Sequence, residues 1–262
     1  MGAVATSIGR IGVEESGSGP RIPIIFLHGV GSDKSVWRPQ LDHFGQSRRA
    51  LAFDYPGYGD SDFIAGATRD DFAKAVLASM DALGVRAAHI CGLSLGGVIA
   101  IALHALAPER CASLILADTF AVHPEGSAIF ERSVEASQSI GMRALAEARV
   151  DALLGSEADD PIRKEVVETM SRIDPAAYAI GAEAVWLADQ SDRAAAVAVP
   201  TLVIVGCEDR ITPPGLSISL AGMIENAALE TISGAGHLAN IERPEAFNRA
   251  IAEFLVRIEP AE

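Results

Sequence analysis

The sequence contains little cysteine, no long apolar run and few basic residues, and each shortage excludes a class of protein. Three cysteines in 262 residues, Cys91, Cys111 and Cys207, are too few for a disulfide scaffold, and their number is odd. Each lies in or beside an apolar segment, so we expect buried, reduced thiols in a cytoplasmic protein. No stretch of about 18 apolar residues occurs, so no membrane span is expected.

Acidic residues outnumber basic ones, with 35 Asp and Glu against 21 Lys and Arg and a net charge of −14. Binding of a phosphate backbone needs clustered cations, so nucleic acid is not expected as a partner. No Gly-x-Gly-x-x-Gly segment follows a first strand, and no His, Cys and Asp residues have metal-ligand spacing. We therefore predict no nucleotide cofactor and no metal ion.

Apolar runs alternate with helical periods along most of the chain. Residues 3–16 are typical of two short antiparallel strands around Gly9, followed by a turn at 16–20. Continuous apolar runs predict buried strands at 22–27, 49–53, 85–92 and 114–117, and helical periods predict helices at 36–44, 70–83 and 95–106. The alternation predicts an α/β fold with a mostly parallel sheet.

The alternation stops between residues 120 and 198. This stretch has helical periods at 129–137, 142–154, 161–173 and 177–188. Strand and helix patterns resume at 200–206, 216–223, 229–232 and 244–258. We therefore divide the chain into a core domain, residues 1–119 and 199–262, and a helical insertion, residues 120–198, over one edge of the sheet.

A Gly-Leu-Ser-Leu-Gly segment lies between the predicted strand 85–92 and the predicted helix 95–106. Gly92 and Gly96 permit a tight strand-to-helix turn on which the hydroxyl of Ser94 stands clear of the sheet. A serine hydroxyl becomes a nucleophile when an imidazole takes its proton and a carboxylate orients that imidazole. The sequence therefore predicts Ser94 as a nucleophile.

Asp209 and His237 follow Ser94 in the chain order expected for such a site. Both lie in Gly- or Pro-rich loops after apolar strands, where the carboxyl ends of parallel strands converge. Asp118 also ends a strand and is an alternative partner of the histidine, unless it only begins an Asx-type turn. His28 is expected to be structural in its loop, and the other four histidines, His43, His89, His104 and His123, are expected to be surface residues or satisfied core residues.

Two backbone N–H groups are expected to bind the oxyanion that forms during attack. One belongs to Leu95 at the start of the helix, where the helix dipole favours negative charge. The other belongs to Val30, in the loop His28-Gly29-Val30-Gly31 after the strand at 22–27. Glycines in this loop allow its backbone to approach a substrate closely.

Five motifs together resemble the α/β-hydrolase superfamily: residues 27–31, residues 54–61, residues 92–97, the Asp209 loop and residues 236–244. The resemblance covers nearly the whole chain outside the insertion. It implies a mostly parallel eight-stranded sheet flanked by helices, with a helical cap inserted after the sixth strand. Residue by residue, it implies Ser94 as nucleophile, Asp209 as acid and His237 as base.

Within the superfamily, residues 92–97, residues 141–142 with the helix that follows, and residues 237–244 resemble the 3-oxoadipate enol-lactonase group. The His28-Gly29 pair is instead the general esterase form. The substrate of that group carries carboxylates, and a cap arginine such as Arg132, Arg143 or Arg149 could bind one. The alternative is that these arginines are solvated charges on helix faces.

The sequence thus predicts a cofactor-independent serine hydrolase that cleaves a carboxylic ester or lactone of a small-molecule substrate through an acyl-enzyme on Ser94. Four apolar residues of the insertion are expected to wall the pocket: Phe120, Val122, Phe130 and Trp186. The alternative for the three aromatic residues is that they pack the cap onto the sheet.

Two other functions stay open. Carbon–carbon bond hydrolysis of dioxo acids uses the same scaffold, in a similar group that carries Asn directly before the serine, where this chain has Leu93. A hydrolase-like ligand-binding protein with negligible turnover is the other. Haloalkane or epoxide opening needs Asp in place of Ser94, so it is not expected.

Overall fold

The computed structural model describes residues 2–259, in which seven strands form one sheet. The strands are β1 (Ala3–Thr6), β2 (Gly9–Leu27), β3 (Arg48–Phe53), β4 (Ala88–Leu93), β5 (Cys111–Ala117), β6 (Thr201–Gly206) and β7 (Ala228–Ile232). β1 pairs antiparallel with β2, and β4 to β7 follow one another in parallel. The α/β class and the mostly parallel sheet are as predicted.

The sequence predicted eight strands, and the difference lies in β2. This strand is one extended segment that includes the predicted turn at 16–20, and both of its halves pair with β3. Residues 13–16 of β2 run antiparallel to β3, whereas Ile24–Leu27 of β2 run parallel to it. β3 therefore lies between the two halves of β2. The chain bends at Gly17, whose φ is 75°, without ending the strand.

Helices cover the sheet, as its apolar strands require. They are α1 (Arg38–Phe44), α2 (Arg69–Ala82), α3 (Leu95–Leu106), α4 (Gly126–Ser139), α5 (Gly141–Leu153), α6 (Asp160–Ser171), α7 (Pro175–Trp186), α8 (Ser191–Ala195), α9 (Pro214–Met223), α10 (Ala239–Glu242) and α11 (Pro244–Ile258). Alternate residues of β2 belong to two different hydrophobic clusters, Ile25 and Leu27 to one, Ile24 and Phe26 to the other. Both faces of the sheet are therefore buried.

Helices α4 to α8 lie between β5 and β6, where the sequence predicted the helical insertion. Residues from these helices, such as Met142, Met170 and Tyr178, share a hydrophobic cluster with Leu27 of the sheet. The helices therefore pack directly over the carboxyl ends of the strands, where loops from the sheet converge. The division of the chain into core and cap domains at residues 120 and 198 stays a prediction.

The cysteines differ from the expectation at one position. Cys91 and Cys111 are buried free thiols, whereas the free thiol of Cys207 is exposed. Cys207 directly follows the last residue of β6, so it lies outside the buried part of the apolar run. Within residues 2–259, no helix has the length and apolar character needed to cross a bilayer.

Because β2 bends at Gly17, we expect alanine substitution to destabilise the protein much more at Gly17 than at Gly66, although both glycines have a positive φ. A Cβ on Gly17 would lie 2.2 Å from the carbonyl oxygen of Gly45, whereas a Cβ on Gly66, with φ of 68°, would meet nothing within 4 Å. Both alanine variants carry backbone strain, but only Gly17→Ala adds overlap with backbone atoms. We expect Gly17→Ala to lower the free energy of unfolding by roughly 1–3 kcal/mol more than Gly66→Ala, in urea titrations. Equal losses would show that the bend tolerates a side chain.

Candidate active site

Ser94 occupies the turn between β4 and α3 in a strained conformation, with φ of 55° and ψ of −113°. The turn is tight: a Cβ on Gly92 would lie 2.1 Å from the carbonyl oxygen of Gly96, and one on Gly96 would lie 2.0 Å from that of Leu27. Only glycine fits at either position. Strain of this kind costs about 1–3 kcal/mol and persists where surrounding contacts enforce it.

Hydrogen bonds to the end of β5 enforce this conformation. The N–H of Ser94 donates to the carbonyl of Ala117 at 2.9 Å, and the hydroxyl of Thr119 donates to the carbonyl of Ser94 at 2.8 Å. Residues 95–104 of α3 are all buried, so the helix that follows the turn cannot shift to relieve the strain. The backbone at Ser94 is therefore fixed from both sides.

Asp209 and His237 lie together although they are 28 residues apart. Nδ1 of His237 is 2.8 Å from Oδ2 of Asp209, and both side chains are buried. Oδ1 of Asp209 accepts the N–H groups of Ile211 and Thr212, and its Oδ2 also accepts the Thr212 hydroxyl at 2.6 Å. Burial raises the pKa of Asp209, but the pairing with His237 and these hydrogen bonds outweigh burial and hold the pKa below its ordinary value. Asp209 is therefore a carboxylate.

Asp118, the alternative partner of the histidine, makes no hydrogen bond to His237 among the described residues. Its Oδ1 accepts the N–H of Gly206 at 2.8 Å, and its buried Oδ2 has no donor. Burial, and next the charge of Asp209, raise the pKa of Asp118 well above its ordinary value. Two neighbouring buried carboxylates would repel each other, so of the two aspartates Asp118 is the one that holds a proton more strongly.

Glu242 and Thr212 hold the two loops, and sequence reasoning did not single out either residue. The buried carboxylate of Glu242 accepts N–H groups of Gly155, Gly236 and Leu238, on both sides of His237 and from the end of α5. Burial raises its pKa, and the three backbone donors partly oppose that shift. Two local features of the sequence could have indicated these residues. Thr212 lies three residues after Asp209, as in an Asx turn, and Glu242 lies inside the motif at 236–244.

Ser94 and His237 line the same cavity, which lies between the sheet and helices α5 to α7. Val30 and Ser32 line it from the loop after β2, and the rest of the lining is mostly apolar: Val36, Leu93, Leu153, Val166, Met170, Ile211, Leu238 and Ile241. No hydrogen bond joins the Ser94 hydroxyl to the His237 ring in residues 2–259. Such bonds are often long before a substrate tightens the site.

The two predicted oxyanion donors are free to bind an acceptor. Among the hydrogen bonds of the described chain, none has the backbone N–H of Val30 or Leu95 as its donor. The loop of Val30 lies against the nucleophile turn, since a Cβ on Gly29 would be 3.5 Å from Cβ of Ser94. His28 anchors this loop between the rings of Tyr55 and Tyr58, and burial lowers its pKa, so it is a structural neutral residue.

Only one of the four predicted wall residues lines this cavity in the described chain. Trp186 does so, and Phe120 stacks on Trp186 from behind, with ring centroids 5.9 Å apart. Val122 is exposed at an isolated bridge to Asp189, and Phe130 is half-buried against the hydrophobic cluster that the sheet and the insertion share. Phe120 and Phe130 therefore pack the cap, which was the alternative interpretation of the aromatic residues, and Val122 does not line this cavity.

The three cap arginines have different surroundings. Arg149 lines the cavity, and its Nη1 is 3.4 Å from the hydroxyl of Tyr178. Arg143 forms a two-bond ion pair with Glu168 on the protein surface, and Arg132 lies in a neighbouring groove. Of the three, Arg149 alone lies in the same cavity as Ser94. No group of three or more His, Cys, Asp and Glu residues within 2–259 is placed to hold a metal ion.

Known proteins share both the sequence pattern and the fold. The chain is 28% identical over 238 residues to 3-oxoadipate enol-lactonase 1 of Acinetobacter baylyi, covering 90% of this chain and 89% of the relative. It is also 28% identical over 264 residues to a 2-hydroxy-6-oxononadienedioate/2-hydroxy-6-oxononatrienedioate hydrolase of Burkholderia vietnamiensis, covering 95% and 91%. The crystal structure of the enol-lactonase from Burkholderia xenovorans superposes with a TM-score of 0.91 at 28% identity, covering 97% of this chain and 99% of that one.

The family profile described as "Alpha/beta hydrolase family" matches residues 24–250, which is most of the chain and includes every element that carries the site. The sheet order, the turn at Ser94 and the helices over the strand ends agree with that match. The chain belongs to the alpha/beta hydrolase family.

Proposed function

We propose that this protein is a cofactor-independent serine hydrolase that cleaves carboxylic esters or lactones through an acyl-enzyme on Ser94. One observation carries the proposal. His237, whose Nδ1 lies 2.8 Å from Oδ2 of the buried Asp209, lines the same cavity as a serine held in a strained turn. Strain at a functional group is typical of a nucleophile that must project from the sheet.

The proposed reaction proceeds in two similar halves. The Ser94 hydroxyl attacks the substrate carbonyl carbon as Nε2 of His237 takes its proton, and the Asp209 carboxylate stabilises the imidazolium that forms. The N–H groups of Val30 and Leu95 hold the oxyanion, and each such donor typically supplies about 3–4 kcal/mol. The imidazolium then protonates the leaving oxygen, and water repeats the sequence on the acyl-enzyme.

Two features support an ester or lactone as substrate. The enol-lactonases are relatives over nearly the whole chain, in sequence and in structure. The cavity at Ser94 is lined mostly by apolar side chains, which suits the organic part of a small ester, while the proposed donors for its carbonyl oxygen are backbone N–H groups.

Carbon–carbon bond hydrolysis is the second candidate. The relative named 2-hydroxy-6-oxononadienedioate/2-hydroxy-6-oxononatrienedioate hydrolase is as similar in sequence, at 28% identity, as the enol-lactonase. Leu93 before the nucleophile favours ester or lactone cleavage, because it supplies no side-chain hydrogen bond to a polar substrate. A panel of 4-nitrophenyl esters and lactones, assayed beside a 2-hydroxy-6-oxo dienoate, distinguishes the two by which substrate gives the highest kcat/KM.

The first test removes the nucleophile. Ser94→Ala should lower kcat for 4-nitrophenyl esters by about four orders of magnitude or more, because the nucleophile and the base act as a unit. A fluorophosphonate probe should form an adduct on Ser94 in the wild-type protein and in Ser32→Ala, a serine variant on the same cavity wall, but not in Ser94→Ala. Ser94→Ala should stay folded, because alanine has the same Cβ as serine at the positive φ of this position. Full turnover by folded Ser94→Ala would contradict the mechanism, and no adduct on wild-type Ser94 would favour a ligand-binding protein.

The two buried aspartates should respond differently to the same substitution. Asp209→Asn should reduce kcat by about 10⁴-fold, since the amide favours the wrong tautomer of His237. Asp118→Asn should keep kcat within about tenfold, because it replaces a neutral acid by a neutral amide that can still accept the Gly206 N–H. Steady-state kinetics at pH 8 measures both. Comparable losses in the two variants would mean that Asp118 takes part as a charged group.

Asp118 should also make the protein less stable as the pH rises. In the unfolded chain Asp118 loses its proton near pH 4, whereas the folded protein keeps it, so the folded state binds more protons above that pH. The free energy of unfolding then falls with pH, by up to about 1.4 kcal/mol per unit from this group. Asp118→Asn removes the effect, so its stability relative to wild type should increase between pH 4 and pH 7 in urea titrations. Parallel stability curves would show that Asp118 is ionised in the folded protein.

A further inference from the structure

The base of the proposed mechanism, His237, lies on a loop rather than on a helix or a strand. β7 ends at Ile232 and α10 begins at Ala239, so regular structure does not fix the residues between them. The hydrogen bond with Asp209 orients the imidazole ring, but other groups have to hold the backbone that carries the ring. The acceptors of the backbone N–H groups in this loop therefore decide how precisely the ring is placed.

Three consecutive N–H groups of this loop have acceptors, and two of them share one carboxylate. Oε1 of Glu242 accepts the N–H of Gly236 at 2.9 Å and that of Leu238 at 3.3 Å. The N–H of His237 itself donates to the carbonyl of Leu153 at 2.9 Å. Leu153 is the last residue of α5, and the final carbonyls of a helix have no partner within it. The backbone of His237 is therefore attached to the end of a helix of the insertion.

The other carboxylate oxygen of Glu242 binds the same end of α5. Its Oε2 accepts the N–H of Gly155 at 2.6 Å, so one side chain bridges the loop of His237 and the insertion. The two backbones touch, since a Cβ on Gly236 would lie 2.6 Å from the N of Gly155, and one on Gly155 would lie 3.0 Å from the N of Gly236. Glycine at both positions allows the two chains to approach closely enough to share one carboxylate.

Glu242 is a buried carboxylate without a cationic partner. It is 4% exposed, and no Lys, Arg or His within residues 2–259 forms an ion pair with it. Arg243, which follows it in the chain, pairs with Glu157 instead. Removing a carboxylate from water costs free energy, which hydrogen bonds to its charged form offset. The contacts that stabilise this charge are therefore the three backbone N–H groups, which belong to the loop of His237 and to the end of α5.

We infer that Glu242 positions His237 for proton transfer, by joining the loop at residues 236–238 to the end of α5 through one carboxylate. The inference rests on the proposed function, in which Nε2 of His237 faces first the Ser94 hydroxyl and then the leaving oxygen. α5 also contributes Leu153 to the cavity lining, so the base and this wall of the cavity are held at a fixed distance. Glu242 does not line the cavity, so it is a positioning residue.

The variant that tests this role is Glu242→Gln, which keeps the size and shape of the side chain. An amide has one carbonyl oxygen and one NH₂ group, so a donor faces a donor either at Gly155 or at Gly236 and Leu238. The loop then loses part of its attachment, and we expect the imidazole to shift relative to Ser94. A misplacement of about 1 Å at a catalytic group costs about 100-fold in rate.

The first measurement compares two esters that differ in their need for a proton. 4-Nitrophenolate leaves as a stable anion, whereas ethoxide has to take a proton from the imidazolium as the C–O bond breaks. Glu242→Gln should lower kcat/KM for both 4-nitrophenyl butyrate and ethyl butyrate, and should raise the ratio of the first to the second about tenfold, because the ethyl ester loses acid as well as base catalysis. The folded fraction cancels in this ratio, so a loss of stability alone leaves it unchanged.

Two control variants make the same change of charge. Glu208→Gln removes a carboxylate that accepts the N–H of Ser156, close to the same end of α5, but no N–H of the loop of His237. Glu253→Gln changes an exposed residue of α11. The ratio should stay within twofold of wild type in both controls. An equal loss for the two esters in Glu242→Gln, or a similar rise of the ratio in Glu208→Gln, overturns the inference.

Hydrogen exchange tests the same inference without turnover, so its failure is distinguishable from failure of the proposed function. In Glu242→Gln the amides of residues 236–238 and of residues 153–155 should exchange about tenfold faster than in wild type, while those of α2 stay unchanged. If wild type hydrolyses no ester, the proposed function fails, and faster exchange confined to these two segments still supports the attachment through Glu242. Unchanged exchange, or an equal acceleration in α2, overturns it.

Discussion

The hydrogen bond between His237 and Asp209 is the interaction on which the rest of the site depends. It joins two loops that follow different strands, and each loop has its own buried support, from Thr212 beside the aspartate and from Glu242 beside the histidine. These contacts keep the Asp209 pKa low in spite of burial, so a charged oxygen always faces Nδ1. The opposite ring nitrogen is then left for the hydroxyl that Ser94 holds in its strained turn.

The sequence predicted the fold well where periodicity carried the information. The helix predicted at residues 95–106 is α3, and the four helical periods of the insertion correspond to α4 to α7. Periodicity could not predict α8 and α10, because five and four residues are too few to show a helical repeat. It also could not show that β2 continues through its bend, since Gly17, Gly19 and Pro20 are typical turn residues whether or not the strand ends there.

The site was predictable to the extent that local motifs mark strand ends. The residues Ser94, Asp209 and His237 each follow a strand, and parallel strands bring their carboxyl ends together. Glu242 carries no such mark. Asp118 does follow a strand, but its raised pKa comes from burial and from the charge of Asp209, which a strand end does not reveal. The residues that line the cavity were harder to predict, because an apolar residue such as Phe120 fits the same hydrophobic pattern whether it faces a cavity or the sheet.

Negative charge at the strand ends is concentrated on one buried group. Burial, and next the charge of Asp209, raise the pKa of Asp118 well above its ordinary value, whereas the pKa of Asp209 stays below its own. Asp209 is the aspartate that has several donors, namely two backbone N–H groups, the Thr212 hydroxyl and the His237 ring. A buried charge is most stable where donors surround it, so the negative charge stays on Asp209, beside the imidazole that it orients.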